Sequence, residues 1–213
     1  LSEEAGSTGE LLKFDVSNLD ETVAAITGWQ AAHKGEYIEV VVNNAGIRKD
    51  NILPLMPSED WYKVIGIGLN GFYNVTQPLV QPMLRKKFGR VINVASLSGL
   101  KGLPGQTNYS AAKGGIIAAT KALAQEVGKR GVTVNAIAPG FFVTNQNRAL
   151  LFNEDGTPTP RTNKILAATP MGRFGKSEEL EGGLLFLVNN EAAGFITGVV
   201  LPIDGGFSAY SGV

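Results

Sequence analysis

The sequence predicts a single α/β domain, residues 1–213, built as a doubly wound parallel sheet. Short runs of Val and Ile, each of strand length, alternate with segments of helical periodicity. The runs are continuously apolar, as strands buried on both faces of a parallel sheet are. Polar residues gather just past the ends of these runs, where sheets of this kind hold ligands.

Taken in order, Leu11–Phe14 reads as a first strand ending at Asp15. Ser17 and Asp20 resemble a capping box ahead of Leu19, Val23 and Ile26, which recur at helical spacing. A second strand, Ile38–Val42, leads into Asn43, Asn44, Ala45 and Gly46. Ser58 opens a long helix through Trp61, Ile65, Leu69, Phe72 and Leu79, with Pro78 and Pro82 expected to kink its end. The third strand, Val91–Val94, delivers Ser96 and Ser98, and an Ala- and Gly-rich helix covers 109–128. Val132–Ala138 is a fourth strand, ending at Pro139 and Gly140. Residues 145–170, broken by Pro158, Pro160 and Pro170, form the one long irregular insertion and are expected to act as a substrate lid. Ser177 opens a helix through Leu180, Leu184, Phe186 and Leu187, and Val199–Ile203 closes the sheet. Strand–helix alternation implies right-handed crossovers.

Composition narrows the chemistry. Nineteen basic residues balance nineteen acidic ones, which removes the field that nucleic-acid binders depend on. No apolar run reaches the roughly 18 residues of a membrane span, and no secretory signal stands at the front. Cytoplasm is the expected location. With no Cys and only His33, thiolate chemistry and multi-histidine metal sites are excluded, and no metal is expected. Acid–base work near neutrality then falls to His33, a carboxylate, a Lys or a Tyr.

Tyr109 and Lys113 are four residues apart and share a helical face. An ammonium beside a phenol favours the phenolate and brings it toward the range of proton transfer. With a Ser hydroxyl to hold a carbonyl oxygen, these groups make a proton donor for a carbonyl that receives a hydride.

The ordered set N-N-A-G at Asn43–Gly46, Ser96, Y-x-x-x-K at Tyr109 and Lys113, P-G at Pro139 with Thr144, and D-G-G at Asp204 resembles the short-chain dehydrogenase/reductase family, from about Leu11 onward. The resemblance implies a Rossmann-like fold, NADP or NAD as cofactor, Tyr109 as acid/base, Lys113 on the nicotinamide ribose and lowering the tyrosine pKa, and Ser96 positioning the substrate carbonyl. It further implies that Asp15 and Val16 border the adenine, Asn44, Ala45 and Gly46 the adenosine ribose side, and Pro139, Gly140 and Thr144 the nicotinamide. Asp204 with its two glycines is read as a structural turn.

Residues 10–138, including G-Q-T-N-Y-S-A-A-K-G-G at Gly105–Gly115, are most like 3-oxoacyl-acyl carrier protein reductases of fatty acid biosynthesis. Residues 139–213 are most like short-chain oxidoreductases of the mannonate/fructuronate type. A recombined chain or an unusual natural subfamily would each give this split. The expected substrate is a 3-oxoacyl thioester, free or on a carrier protein, with a sugar acid as the alternative and a catalytically inert scaffold as the rival of another class. Ser98, Gln106 and Arg148 are the candidates for substrate contact, Arg148 and Arg161 by pairing with a carboxylate. Lys86, Lys87, Arg90, Lys129 and Arg130 form a basic set that would suit an acidic carrier. A homo-oligomer, dimer or tetramer, is expected through the helix at 109–128 and the helix from Ser58.

Two departures stand out. The family's glycine-rich phosphate turn, T-G-x-x-x-G-x-G, is absent from this sequence, so an N-terminal βαβ portion of at least about 30 residues is expected ahead of residue 1. In the family's strand order 3-2-1-4-5-6-7, Leu11–Phe14 would be the third strand. It would stand about 14 Å from its nearest partner without the two between. Without that turn the choice between NAD and NADP stays open. Where the family carries Asn in an N-L-x-G context, this chain has Gly68, and Asn70 faces elsewhere.

Overall fold

The computed structural model describes residues 9–144 and 147–212. Four parallel strands, β1 (Val40–Asn43), β2 (Gly89–Val94), β3 (Val132–Pro139) and β4 (Val200–Ile203), lie side by side in chain order. Val41 pairs with Val91, Val91 with Val134, and Ala136 with Val200. Helices cover both faces, so β2 and β3 carry side chains buried on either side, including Val91, Ile92, Val132 and Val134 at 0% exposure. Each such side chain contributes roughly 1.5–3 kcal/mol by burial. This is the doubly wound sheet that the apolar runs predict.

Polar residues within these strands are paired across the sheet. Asn43 Nδ2 donates to Asn93 Oδ1 (2.8 Å) and Thr76 Oγ1 (2.9 Å), and Asn93 Nδ2 donates to Thr120 Oγ1 (2.8 Å). An unpaired amide here would cost about 1–3 kcal/mol, so the ladder fixes the register of β1 on β2 and of the helix behind them.

Helix α1 (Leu19–Ala32) is capped by Asn18, whose side chain accepts from Glu21 N, and not by Ser17. The Ser17 hydroxyl donates instead to Asp15 Oδ1 at 2.7 Å. Helix α2 (Ser58–Ile65) runs through a π turn at Gly66–Asn70 into α3 (Gly71–Lys86). Pro78 and Pro82 lie inside α3. The break in regularity falls at the glycine-rich π turn, where Gly68 is buried and a Cβ would meet the Ala112 Cβ at 3.3 Å. Asn70 is exposed. Then come α4 (Leu97–Lys101) and α5 (Thr107–Val127), the short lid helices α6 (Arg148–Leu151) and α7 (Pro160–Ala167), and finally α8 (Glu178–Val188) and α9 (Asn190–Ala193).

One predicted strand is corrected. Leu11–Phe14 pairs with no strand among the described residues, and Leu11 is 93% exposed. A hollow of about 570 Å³ lined by Leu12, Phe14, Trp29 and Val40 lies between it and β1. A strand exists only through its ladder, and a segment held that far from β1 has none.

Two further readings change. Arg90 is not a surface cation: it is 1% exposed, donates to the Gly89 carbonyl at 2.7 Å and to Asn190 Oδ1, and stacks on Phe88. The rest of the basic set stands at the amino ends of β2 and β3, about 20 Å of strand from Ser96, so it does not flank the carboxyl-end cleft. His33 caps α1, stacked on Trp29 at 4.4 Å and paired with Glu10. Asp204 is the structural turn expected, accepting from Gly206 N and Ser208 N.

Candidate active site

Beyond the carboxyl ends of β1, β2 and β3 lies a cleft of about 600 Å³. Ser96 enters it from the end of β2, where its hydroxyl also caps α4 by accepting from Ser98 N (3.2 Å). Tyr109 and Lys113 enter it from the first turns of α5. Gly99 brings the two helices together: a Cβ there would stand 2.7 Å from the Lys113 carbonyl carbon, so α4 rests directly on α5. The structure thus assembles Ser96, Tyr109 and Lys113 around one space.

Lys113 is 3% exposed, and its Nζ donates to the Val94 carbonyl at 2.6 Å. Burial pushes its pKa down to about 8. Its Nζ lies 5.7 Å from the centre of the Tyr109 ring. The Tyr109 hydroxyl does not behave as the spacing alone suggests. Burial raises its pKa above the usual phenol value, and the Ser96 hydroxyl and the Arg48 charge pull only partly the other way. Desolvation outweighs the favourable neighbours here, and Lys113 Nζ is directed at the Val94 carbonyl.

The site fits a dinucleotide at its nicotinamide end. Lys113 has donors left after its bond to Val94, and Gly46 keeps space in front of them, since a Cβ there would stand 3.3 Å from Nζ. Asn44 lines the same wall, and Pro139, Gly140 and Thr144 line the opposite one. Ala45 lies between Asn44 and Gly46 in that loop. Asp15 and Val16 are outside this lining: Asp15 binds Ser17 (2.8 Å to its N–H), and Val16 gives its carbonyl to Asn74 Nδ2 (2.8 Å). No group of His, Asp or Glu suited to a metal ion occurs among the described residues. No described helix is long and apolar enough to cross a membrane.

The substrate candidates separate. Ser98 and Gln106 line the cleft but are bonded to each other, Ser98 Oγ donating to Gln106 Oε1 at 2.8 Å, and Gln106 Nε2 donates to Asp50 Oδ2 at 3.0 Å. Both ends of the Gln106 amide are therefore occupied. Arg148 is outside the cleft lining, with its guanidinium 5.5 Å over the Phe152 ring, and Arg161 is exposed on α7. Asn145 and Gln146 lie outside the described residues. Asn147 reaches the cleft, but its Nδ2 donates to the Phe142 carbonyl and its Oδ1 accepts from Thr144 N, both at 2.8 Å. Among the lid's described residues only Asn147 lines the cleft; the aromatic surface there comes from Phe141 and Phe142, which precede the lid. Sequence reasoning missed these two and Arg48, which also lines the cleft. The available signal was position: Arg48 follows the N-N-A-G run by two residues, and the Phe pair follows Pro139–Gly140.

The sequence pattern of the family described as enoyl-(acyl carrier protein) reductase matches residues 1–208. Over 208 residues the chain is 41% identical to the 3-oxoacyl-[acyl-carrier-protein] reductase of Chlamydia muridarum, covering 98% of this chain and 80% of that protein. The corresponding reductase of Pseudomonas aeruginosa is 41% identical over 201 residues, 94% of this chain and 77% of its own. Among solved structures, one from Haemophilus influenza described as a D-mannonate oxidoreductase with bound NAD superposes with a TM-score of 0.88 at 37% identity, covering 99% of this chain and 81% of that one. A gluconate 5-dehydrogenase from Burkholderia cenocepacia, in complex with NADP and tartrate, gives 0.88 at 30% identity, covering 97% and 78%.

Proposed function

The chain belongs to the short-chain dehydrogenase/reductase family, and from that premise we propose that it is an NAD(P)-dependent oxidoreductase acting on a carbonyl/alcohol pair. The observation that carries this reading is the convergence of Ser96, Tyr109 and Lys113 on one cleft. NAD or NADP, when bound, supplies or accepts the hydride at the reacting carbon. Lys113, with Asn44 on the same cleft lining, would hold the cofactor's ribose hydroxyls. Ser96 donates a hydrogen bond to the substrate carbonyl oxygen. In reduction, Tyr109 passes its phenolic proton to that oxygen as the C=O double bond becomes a C–OH; in oxidation, the phenolate takes the proton back. A phenol whose pKa is raised by burial is protonated near neutrality, so Tyr109 carries the proton that the reduction consumes.

For the substrate, the reading is a 3-oxoacyl thioester. It rests on the reductase relatives and on Phe141 and Phe142, which follow Pro139–Gly140 and offer the cleft apolar surface, while Asn147 of the lid is engaged within its own loop. A keto-acid reading is favoured by one observation, the free cation Arg48 in the same cleft, and by the sugar-acid enzymes among the structural neighbours. Exposed Tyr62 and Tyr73 on α2 and α3 keep homo-oligomer assembly as part of the proposal. The test is nicotinamide absorbance with acetoacetyl thioester and keto-sugar acid in the full-length protein. Tyr109→Phe is expected to lower kcat at least about 100-fold, the scale of a lost general acid, with cofactor binding kept. An unchanged kcat would overturn the assignment.

A further inference from the structure

We propose that Arg48 is a specificity-determining residue of this cleft, holding a second carbonyl or carboxylate oxygen of the substrate a short spacer away from the reacting carbonyl. This rests on the oxidoreductase reading above and names what recognises the rest of the substrate.

The cleft contains two cations, Arg48 and Lys113, and no Asp or Glu lines it. Lys113 is committed to the Val94 carbonyl and the cofactor side. Arg48 makes no ion pair among the described residues, while the next residue, Lys49, is drawn away to Asp60 on α2 at 3.8 Å. Arg48 is also near enough to Tyr109 for its charge to act on the phenol. Its loop is held to the start of the catalytic helix at three successive residues. Asn108 Nδ2 donates to the Lys49 carbonyl at 3.0 Å, Gln106 Nε2 to Asp50 Oδ2 at 3.0 Å, and Asn51 N to the Gly105 carbonyl at 2.8 Å. The Arg48 loop is registered to the catalytic tyrosine, and the guanidinium, exposed at the cleft with no ion pair among the described residues, can meet an oxygen acceptor beyond the reacting carbon, while the nearby Asp50 carboxylate is engaged by Gln106. In a 3-oxoacyl thioester that acceptor is the thioester carbonyl, two carbons away. In a 3-oxo acid it is a carboxylate, which pairs with the fork more strongly.

The experiment compares three probes in the full-length protein with cofactor: the N-acetylcysteamine thioester of acetoacetate, acetoacetate itself, and butan-2-one. Arg48→Gln is expected to lower kcat/KM about 10-fold on the thioester and about 100-fold on acetoacetate, mainly through KM, and by no more than about 3-fold on butan-2-one, on the scale of charge-assisted hydrogen bonds. Arg48→Lys should recover part of the loss. In the oxidation direction, the pH at which activity rises should move upward in Arg48→Gln, because the phenolate loses a favourable charge. Equal losses on all three probes, or no loss, would overturn the assignment. If the wild type reduces acetoacetate but not the thioester, with the Arg48 dependence intact, the thioester reading fails and the Arg48 assignment stands. Saturation-transfer NMR of acetoacetate gives an answer without turnover. Signal in the wild type that Arg48→Gln loses supports the assignment, and signal in both or in neither overturns it.

Discussion

The catalytic shelf and the walls around it are built in different ways. Ser96 hangs from a strand buried along nearly its whole length, and Lys113 lies in a helix that Gly99 brings into direct backbone contact with α4. The walls are loops: residues 47–51 on one side, tied by side-chain hydrogen bonds, and the lid on the other, where short helices and aromatic contacts replace a ladder. The sheet interior fixes where chemistry happens, and the loops set what is admitted, which is how one scaffold comes to serve many substrates. Perturbing the shelf should therefore change protonation and stability together, whereas perturbing a wall should change selectivity first.

The sharpest way to test the shelf is through Lys113. Its pKa falls from the usual lysine value to about 8 in the cofactor-free fold because burial disfavours the ammonium. Below pH 8 the lysine is charged in both folded and unfolded chains, and the folded state bears the full desolvation cost. Between pH 8 and 10.5 the unfolded chain binds more protons, so stability rises with pH. The gain is on the order of 3 kcal/mol. Denaturant unfolding across that window should show it in the wild type and lose it in Lys113→Met, the difference between the two removing the contribution of the tyrosines. Parallel curves for the two proteins would mean that Lys113 is better solvated than its burial indicates.

Gln106 joins shelf to wall. It is 4% exposed, and its amide binds Ser98 on one side and Asp50 on the other. Gln106→Ala leaves the Ser98 hydroxyl and the Asp50 carboxylate without that partner, a loss of about 2 kcal/mol that lowers Tm by roughly 4–8 °C. As a positioning residue for the Arg48 loop, it should also raise KM for the thioester more than it lowers kcat. A variant that loses stability with KM unaltered would leave Gln106 a packing residue and separate the loop from the shelf.

What the sequence made legible follows the same division. Val91–Val94 and Val132–Ala138 read as buried parallel strands because both faces of each are apolar, and Tyr109 and Lys113 fall on one helical face by spacing alone. The π turn at Gly66–Asn70 has no such signature, since Gly68 is accommodated by its contact with Ala112, about 44 residues away in sequence. Arg90 looks like one of a run of surface cations, and only the carbonyls of Gly89 and Gly131 with Asn190 reveal it as buried. Leu11–Phe14 has strand composition, yet pairing is a property of its neighbours. Arg48 escaped notice because a loop cation beside Lys49 and Asp50 carries no periodicity, and its significance comes from lining the cleft while Lys49 turns to Asp60 and Asp50 is bound by Gln106.

The smallest expected effect concerns Arg148, the residue that sequence reasoning placed on a substrate carboxylate. Its guanidinium lies over the Phe152 ring, which in turn packs edge-on against Phe174 at 6.1 Å, while the Phe152 backbone bridges to Pro158. Arg148 therefore covers the outside of the lid, and an exposed cation–π contact of this kind contributes about 0.5–1 kcal/mol. Arg148→Ala should lower Tm slightly and change kcat/KM by less than about 2-fold on both acetoacetyl thioester and keto-sugar acid, against the roughly 100-fold loss that Arg48→Gln causes on acetoacetate. The two arginines make the comparison between walls quantitative: one precedes three residues that hydrogen-bond to the start of the catalytic helix, the other lies over an aromatic ring of the lid, outside the cleft lining. A selective loss of ten-fold or more on the sugar acid in Arg148→Ala would show that the lid turns Arg148 inward when substrate binds. The carboxylate would then be shared between both walls, and the lid would have to exchange its Phe152 contact for the substrate at each turnover.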